Sequence, residues 1–125
     1  VKAAMQYEQA LELEKQGPSF PRPLWLVLVD QLGMSYGISG DLAKCRHLYE
    51  WAVTIEPEYP MFYYNLACSF AEMGKQDDAI KNLRLAFKYK GNSIPGESVP
   101  DPRTDSSFEK YLNNPEFKAA LEQMK

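Results

Sequence analysis

The chain has 125 residues, enough for one ordinary domain, and 45% hydrophobic with 25% charged residues excludes a disordered polymer. Its 14 Lys and Arg against 17 Asp and Glu leave a net charge of −3, without the concentrated basic surface that a dedicated nucleic-acid binder requires. The longest apolar run, Leu24 to Val29, is far short of the ~20 residues of a membrane span, and no basic-then-apolar signal stretch opens the chain. Because Val1 stands where a Met would, the chain is expected to be a processed or excised piece of a longer protein.

In chain order, residues 2–16 set Ala3, Tyr7 and Ala10 on one helical stripe. Pro18, Pro21 and Pro23 make 17–23 an extended connection, since each disfavours helix at the residue before it. Residues 24–57 read as two helices. Trp25, Val29, Leu32 and Tyr36 recur at steps of 3 and 4, Gly40 breaks the stripe, and Asp41 is the N-cap of a second helix. That second helix carries Cys45, Leu48, Tyr49 and Ala52 and stops before Pro57. Residues 58–91 repeat the pattern with Pro60 in the first helical turn, then Phe62, Tyr63, Leu66, Ala67 and Phe70, a break at Gly74, and Ala79, Leu83 and Ala86. The stretch 92–104, holding Pro95, Gly96, Pro100 and Pro102, is long for a connection in a helical domain and is expected to be functional or mobile. Residues 105–125 form a closing helix pair: a short helix from Asp105 to Leu112, then Asn114 as N-cap, Pro115 in the first turn and Phe117, Leu121 and Met124 on one stripe.

No residue set points to catalysis or a cofactor. Cys45 and Cys68 lack CxxC or Cys/His ligand spacing, so buried free thiols are expected, compatible with a reducing compartment such as the cytoplasm. His47 has no partner nucleophile or second ligand. Asp77 and Asp78 suit the first turn of a helix, and Glu8, Glu12 and Glu14 a solvated face, better than acid/base pairing. Lys81, Arg84 and Lys88 make a basic stripe without interleaved exposed aromatics, which fits an outer face rather than a nucleic-acid site. No phosphate loop, HExxH or GxSxG occurs, so no metal site and no enzyme is expected.

Shifting the chain by 34 residues aligns Leu32 with Leu66, Gly33 with Ala67, Tyr36 with Phe70, Gly40 with Gly74, Cys45 with Ala79, Tyr49 with Leu83 and Ala52 with Ala86. This order and period resemble the tetratricopeptide repeat, with Pro57 ending the first copy and Gly91 in the equivalent place of the second. The resemblance implies an all-α fold, a short right-handed superhelix of antiparallel helical hairpins. It would hold two full repeats (24–57 and 58–91), a half repeat at 2–16 contributing only a second helix, and a degenerate capping pair at 105–125.

In that family the first helices line a concave groove that binds peptides. The resemblance therefore implies a non-enzymatic protein-interaction scaffold for an extended peptide or partner helix, with self-association through the exposed half repeat as the alternative. Carried onto this chain, the groove holds Asp30, Gln31 and Met34 beside Val27, and Met61, Tyr64, Asn65, Cys68 and Glu72. A bland alternative is that these side chains only cover the inner surface. The set contains no Lys or Arg, so an acidic tail lacks its charge-assisted partners and an apolar or basic peptide is expected. In that picture Asn65 holds the peptide backbone, Met34, Met61 and Tyr64 give apolar contact, and Asp30 and Glu72 attract a cation. Lys110 from the third pair is the one opposing charge.

Overall fold

The computed structural model describes residues 8, 9, 11, 12 and 22–124, so most of the expected half repeat and its Pro-rich connection lie outside the described residues. Among the described residues every regular element is helical, joined by turns and irregular connections, and there is no strand. Glu8, Gln9, Leu11 and Glu12 are helical, and Leu11 is buried. Helix α1 spans Arg22–Ile38, α2 Leu42–Ile55, α3 Pro60–Glu72 and α4 Gln76–Lys88. Short 3-10 turns follow at Lys90–Asn92, Pro102–Thr104 and Ser106–Tyr111, and α5, Pro115–Gln123, closes the fold.

One boundary differs from the sequence expectation. Helix α1 starts at Arg22, so Pro23 belongs to its first turn and not to an extended connection. A proline there loses nothing, because the first four N–H groups of a helix have no intrahelical acceptor. The segment expected to be a short helix from Asp105 to Leu112 is helical from Ser106 to Tyr111, wound as a 3-10 helix. Side chains three apart eclipse in that winding, and Phe108 and Tyr111 are accordingly both buried.

The two hairpins share their turn chemistry. Gly40 and Gly74 take φ of 81° and 80°, a left-handed conformation that side chains disfavour. In the first copy Asp41 N–H donates to Tyr36 O at 2.9 Å and Gly40 N–H to Gly37 O at 3.1 Å. In the second, Lys75 N–H donates to Phe70 O at 2.9 Å and Gly74 N–H to Ala71 O at 3.1 Å. Both are Schellman caps, in which paired backbone bonds satisfy the last carbonyls of the first helix. Asp41 also caps α2 through its side chain, accepting from Lys44 N–H at 3.1 Å. Lys75, its counterpart, makes no side-chain cap.

Packing runs from hairpin to hairpin. α3 lies against α4, α2 and the Ser106–Tyr111 turn, and makes only slight contact with α1. Phe62 of α3 is the aromatic centre of the first junction, meeting Tyr59 edge-on at 4.8 Å, Tyr49 at 6.0 Å and Trp25 at 6.2 Å between ring centroids. At the far end Phe108 stacks on Phe117 at 5.9 Å and meets Tyr64 edge-on. The closing pair is thus fastened to α3 by aromatic contact. Tyr111 adds a hydrogen bond, its hydroxyl donating to Ala71 O at 2.8 Å.

The helices of the first hairpin approach closely at Gly33. A Cβ added there would stand 2.1 Å from Tyr49 Oη and 2.3 Å from its Cζ, so the α1–α2 crossing leaves no room even for alanine. The next copy carries the reverse distribution of bulk, Ala67 and Leu83, both fully buried. We expect Gly33→Leu to lower stability by about 1–3 kcal/mol or more, the usual cost of overpacking. Gly33→Ala will be milder, and Tyr49→Leu, which copies the second hairpin, will recover part of its loss. Thermal melts of the two single variants and the double variant measure the coupling, and strictly additive costs would contradict the size exchange.

Candidate functional site

The residues singled out for the groove lie on α1 and α3, and the structure treats the two helices differently. On α1, Gln31 and Met34 are exposed and Asp30 is half-buried. On α3, Tyr64 is buried, Met61, Asn65 and Cys68 are half-buried, and only Glu72 is exposed. Asp105 and the Ser106–Tyr111 turn cause this asymmetry. The Tyr64 hydroxyl donates to Asp105 Oδ2 at 2.8 Å, and the Cys68 thiol points at the same oxygen from 3.8 Å. Asp105 is held in turn as the cap of the 3-10 segment, accepting from Ser107 N–H at 3.0 Å. Tyr64 therefore joins the hairpins instead of lining open surface.

Asp30 and Asn65 meet in a polar junction. The Asn65 amide nitrogen donates to Asp30 Oδ1, and the Tyr49 hydroxyl donates to the same oxygen at 3.1 Å. Three helices are joined at one carboxylate atom. The Asn65 amide is engaged there, so its expected hold on a peptide backbone would require displacing Asp30. Burial pushes the Asp30 carboxyl above its usual range, Glu97 adds to the rise, and the bonds from Tyr49 and Asn65 work against it. Glu97 belongs to the 92–104 stretch and is tied down by the Tyr59 hydroxyl, which donates to Glu97 Oε1 at 2.5 Å. Pro102 is buried and the Asn92 amide donates to Glu58 O at 3.0 Å, so this stretch is fastened to the hairpins at three points.

Other polar groups hold the packing. The Cys45 thiol lies 3.1 Å from Ser69 Oγ, and Ser69 Oγ donates to Asn65 O at 3.2 Å. Cys45 and Cys68 are free thiols, and burial raises both above the ordinary thiol range, which suits packing rather than nucleophilic chemistry. Among the described residues no group of three or more His, Cys, Asp or Glu could hold a metal ion, and no helix is long and apolar enough to cross a membrane. His47 is exposed at the rim of a cleft of about 410 Å³ between Leu11 and the first hairpin, lined also by Leu32, Tyr36 and Trp51.

Sequence reasoning missed part of the α1 face. Leu24 and Ile38 extend the stripe of Val27, Gln31 and Met34 to residues 24, 27, 31, 34 and 38, with Leu24 and Met34 both 51% exposed and Ile38 87%. The 3-and-4 spacing would have revealed both ends. Nothing local to Glu97 or Asp105 foretells contact with α1 or α3, because those contacts depend on how a proline-rich stretch folds back.

The raised Asp30 carboxyl has a definite effect on stability. A folded-state value above the unfolded one favours the neutral form, so the penalty is absent below the ordinary value of 3.8 and complete once pH exceeds the folded value. Asp30→Asn keeps an acceptor for Tyr49 and removes the charge. We expect its melting temperature to exceed that of the unsubstituted protein at pH 7, with the gap closing below about pH 4. A variant less stable at pH 7 than at pH 3, relative to the parent, would reverse the sign.

Comparison with known proteins bears on the second hairpin. Residues 62–93, running from α3 through α4 to the first 3-10 turn, match the family model described as tetratricopeptide repeat. No curated protein and no solved structure matches the chain. With the 34-residue correspondences and the paired Schellman turns, the family match supports a tetratricopeptide repeat at residues 62–93.

Proposed function

We propose that this chain is a protein-interaction scaffold that holds an apolar or basic peptide segment of a partner on the face formed by α1 and α3. Tetratricopeptide repeats are in general protein–protein interaction modules and non-enzymatic, which supports the coarse assignment. In this scheme residues 24–57 and 58–91 are two full copies and 105–125 is the capping pair. Size-matched turns, with Gly40 and Gly74 at the same φ, support the first copy, and burial of Phe108 and Tyr111 against α3 supports the cap.

One observation carries the ligand preference. Between Leu24 and Ile38, and along the whole of α3, there is no Lys or Arg, while Asp30, Glu72 and the adjacent Glu97 are acidic. A carboxylate-rich ligand would find no charge-assisted donor between Leu24 and Ile38 or on α3, and a basic one finds opposite charge. Of the proposed groove residues, Gln31, Met34 and Glu72 are those a ligand reaches directly, while half-buried Asp30, Met61, Asn65 and Cys68 border it and buried Tyr64 supports it from behind. The self-association alternative depends on residues 2–16, nearly all outside the described residues.

Calorimetric titration tests this preference. An acidic C-terminal tail peptide is expected to give no binding heat, and a Leu- and Lys-rich peptide of the same length to bind with an affinity that weakens as salt is added. Tight, salt-sensitive binding of the acidic tail would contradict the charge assignment.

A further inference from the structure

We propose, resting on the peptide-binding role above, that the exposed ridge of α1 docks an amphipathic helix of a partner protein whose mid-seam Lys or Arg reaches Asp30 and Glu97. Residues 24, 27, 31, 34 and 38 advance in steps of 3 and 4, so they form one narrow line about 21 Å long at 1.5 Å per residue. This is the spacing of a coiled-coil seam, which takes up side chains from a second helix running alongside. Four of the five positions are Leu, Val, Met or Ile, and all four are substantially exposed. The outward faces of the neighbouring helices are unlike it. α2 shows Lys44, His47 and Glu50 to solvent, and α4 shows Asp77, Lys81, Arg84 and Lys88. Apolar exposure is therefore concentrated on α1, as at an interaction surface.

The shape favours a helix over an extended strand of peptide. An extended ligand needs a groove that continues from one first helix to the next. On α3 the positions equivalent to Val27, Gln31 and Met34 are Met61, Asn65 and Cys68, and each is half-buried. Asp105 stands against Cys68, and Phe108 packs on Tyr64 one turn away. The track narrows at the third unit. What stays open is a ridge one helix long.

Charge selects the occupant. Asp30 borders the ridge near its midpoint; its Oδ1 accepts from both Tyr49 and Asn65, and Oδ2 has no hydrogen-bond partner among the described residues. Glu97 lies close enough to disfavour ionisation of Asp30 electrostatically, and no ion pair to either carboxylate forms among the described residues. A second copy of this chain, docked antiparallel about Gln31, would bring two Asp30 carboxylates together without an intervening cation. A partner helix with one central Lys or Arg meets both the apolar line and the carboxylates.

Fluorescence anisotropy with the intact chain tests this, using labelled synthetic peptides of about 18 residues, long enough to cover the ridge. One forms a helix with Leu along its seam and a central Lys, the second has Glu in place of that Lys, and the third has a seam-centre Pro that breaks the helix. The Lys peptide is expected to bind at least roughly tenfold more tightly than either of the others. Met34→Glu, at an exposed position, should abolish binding while leaving the circular-dichroism melt intact. Asp30→Asn should remove the Lys-over-Glu preference and retain apolar binding. Equal binding of the Pro peptide would overturn the helical ligand while leaving the peptide-binding role standing. If neither helical peptide binds while the Pro peptide does, the ridge assignment alone falls; if none of the three binds, both fall. A concentration-dependent dimer in light scattering that Met34→Glu dissociates would place a second copy on the ridge and overturn the partner assigned here.

Discussion

The contact between Gly33 and the Tyr49 ring sets the separation of α1 and α2, and the polar junction beside it depends on that separation. Because residue 33 has no side chain, the ring lies directly on the backbone of α1. Its hydroxyl then reaches Asp30 on the same helix at 3.1 Å, and Asp30 in turn accepts from Asn65 on α3. A packing requirement inside one hairpin thereby fixes a carboxylate between two hairpins. In a stack of repeats, where each unit is stabilised by its neighbours, such a junction transmits stability along the chain. The same junction holds Asp30 half out of water, where an opposite charge from a ligand would count for more than on an open surface.

The two hairpins share turns, period and core positions, yet their first helices end in different surroundings. α3 is overlaid by a short, tightly wound turn whose Phe108 and Tyr111 are buried and whose Asp105 accepts from Tyr64. The equivalent line on α1 stays exposed and apolar. The capping unit therefore does more than terminate the stack. By filling the surface over α3, it leaves the line on α1 exposed, and Glu97 in the stretch before it acts electrostatically on Asp30.

Much of this architecture is legible in the residues. The glycine pair at 40 and 74, the small residues at 33, 67, 79 and 52, and the aromatic stripes are local signals that translate directly into turns, close crossings and buried faces. The proposed groove was legible as a line on a helix but not as a surface. Whether Tyr64 is open or covered is decided by residues more than 40 positions away, and their fold-back depends on tertiary packing rather than on spacing. Asn65 illustrates the same limit: its amide is free by sequence and engaged by Asp30 in the fold. Phe108 and Tyr111 both face α3 from the 3-10 helix at 106–111, contacts that depend on tertiary packing rather than on local propensity.

The most direct measurement of the central claim, an exposed line on α1 beside a covered one on α3, is hydroxyl-radical footprinting of the intact chain resolved residue by residue. The account predicts rapid modification at Leu24, Met34 and Ile38, with Tyr64 and Phe108 protected until the chain unfolds. Modification of Tyr64 as fast as that of Met34 under native conditions would show that the third unit does not cover α3, and would contradict the account.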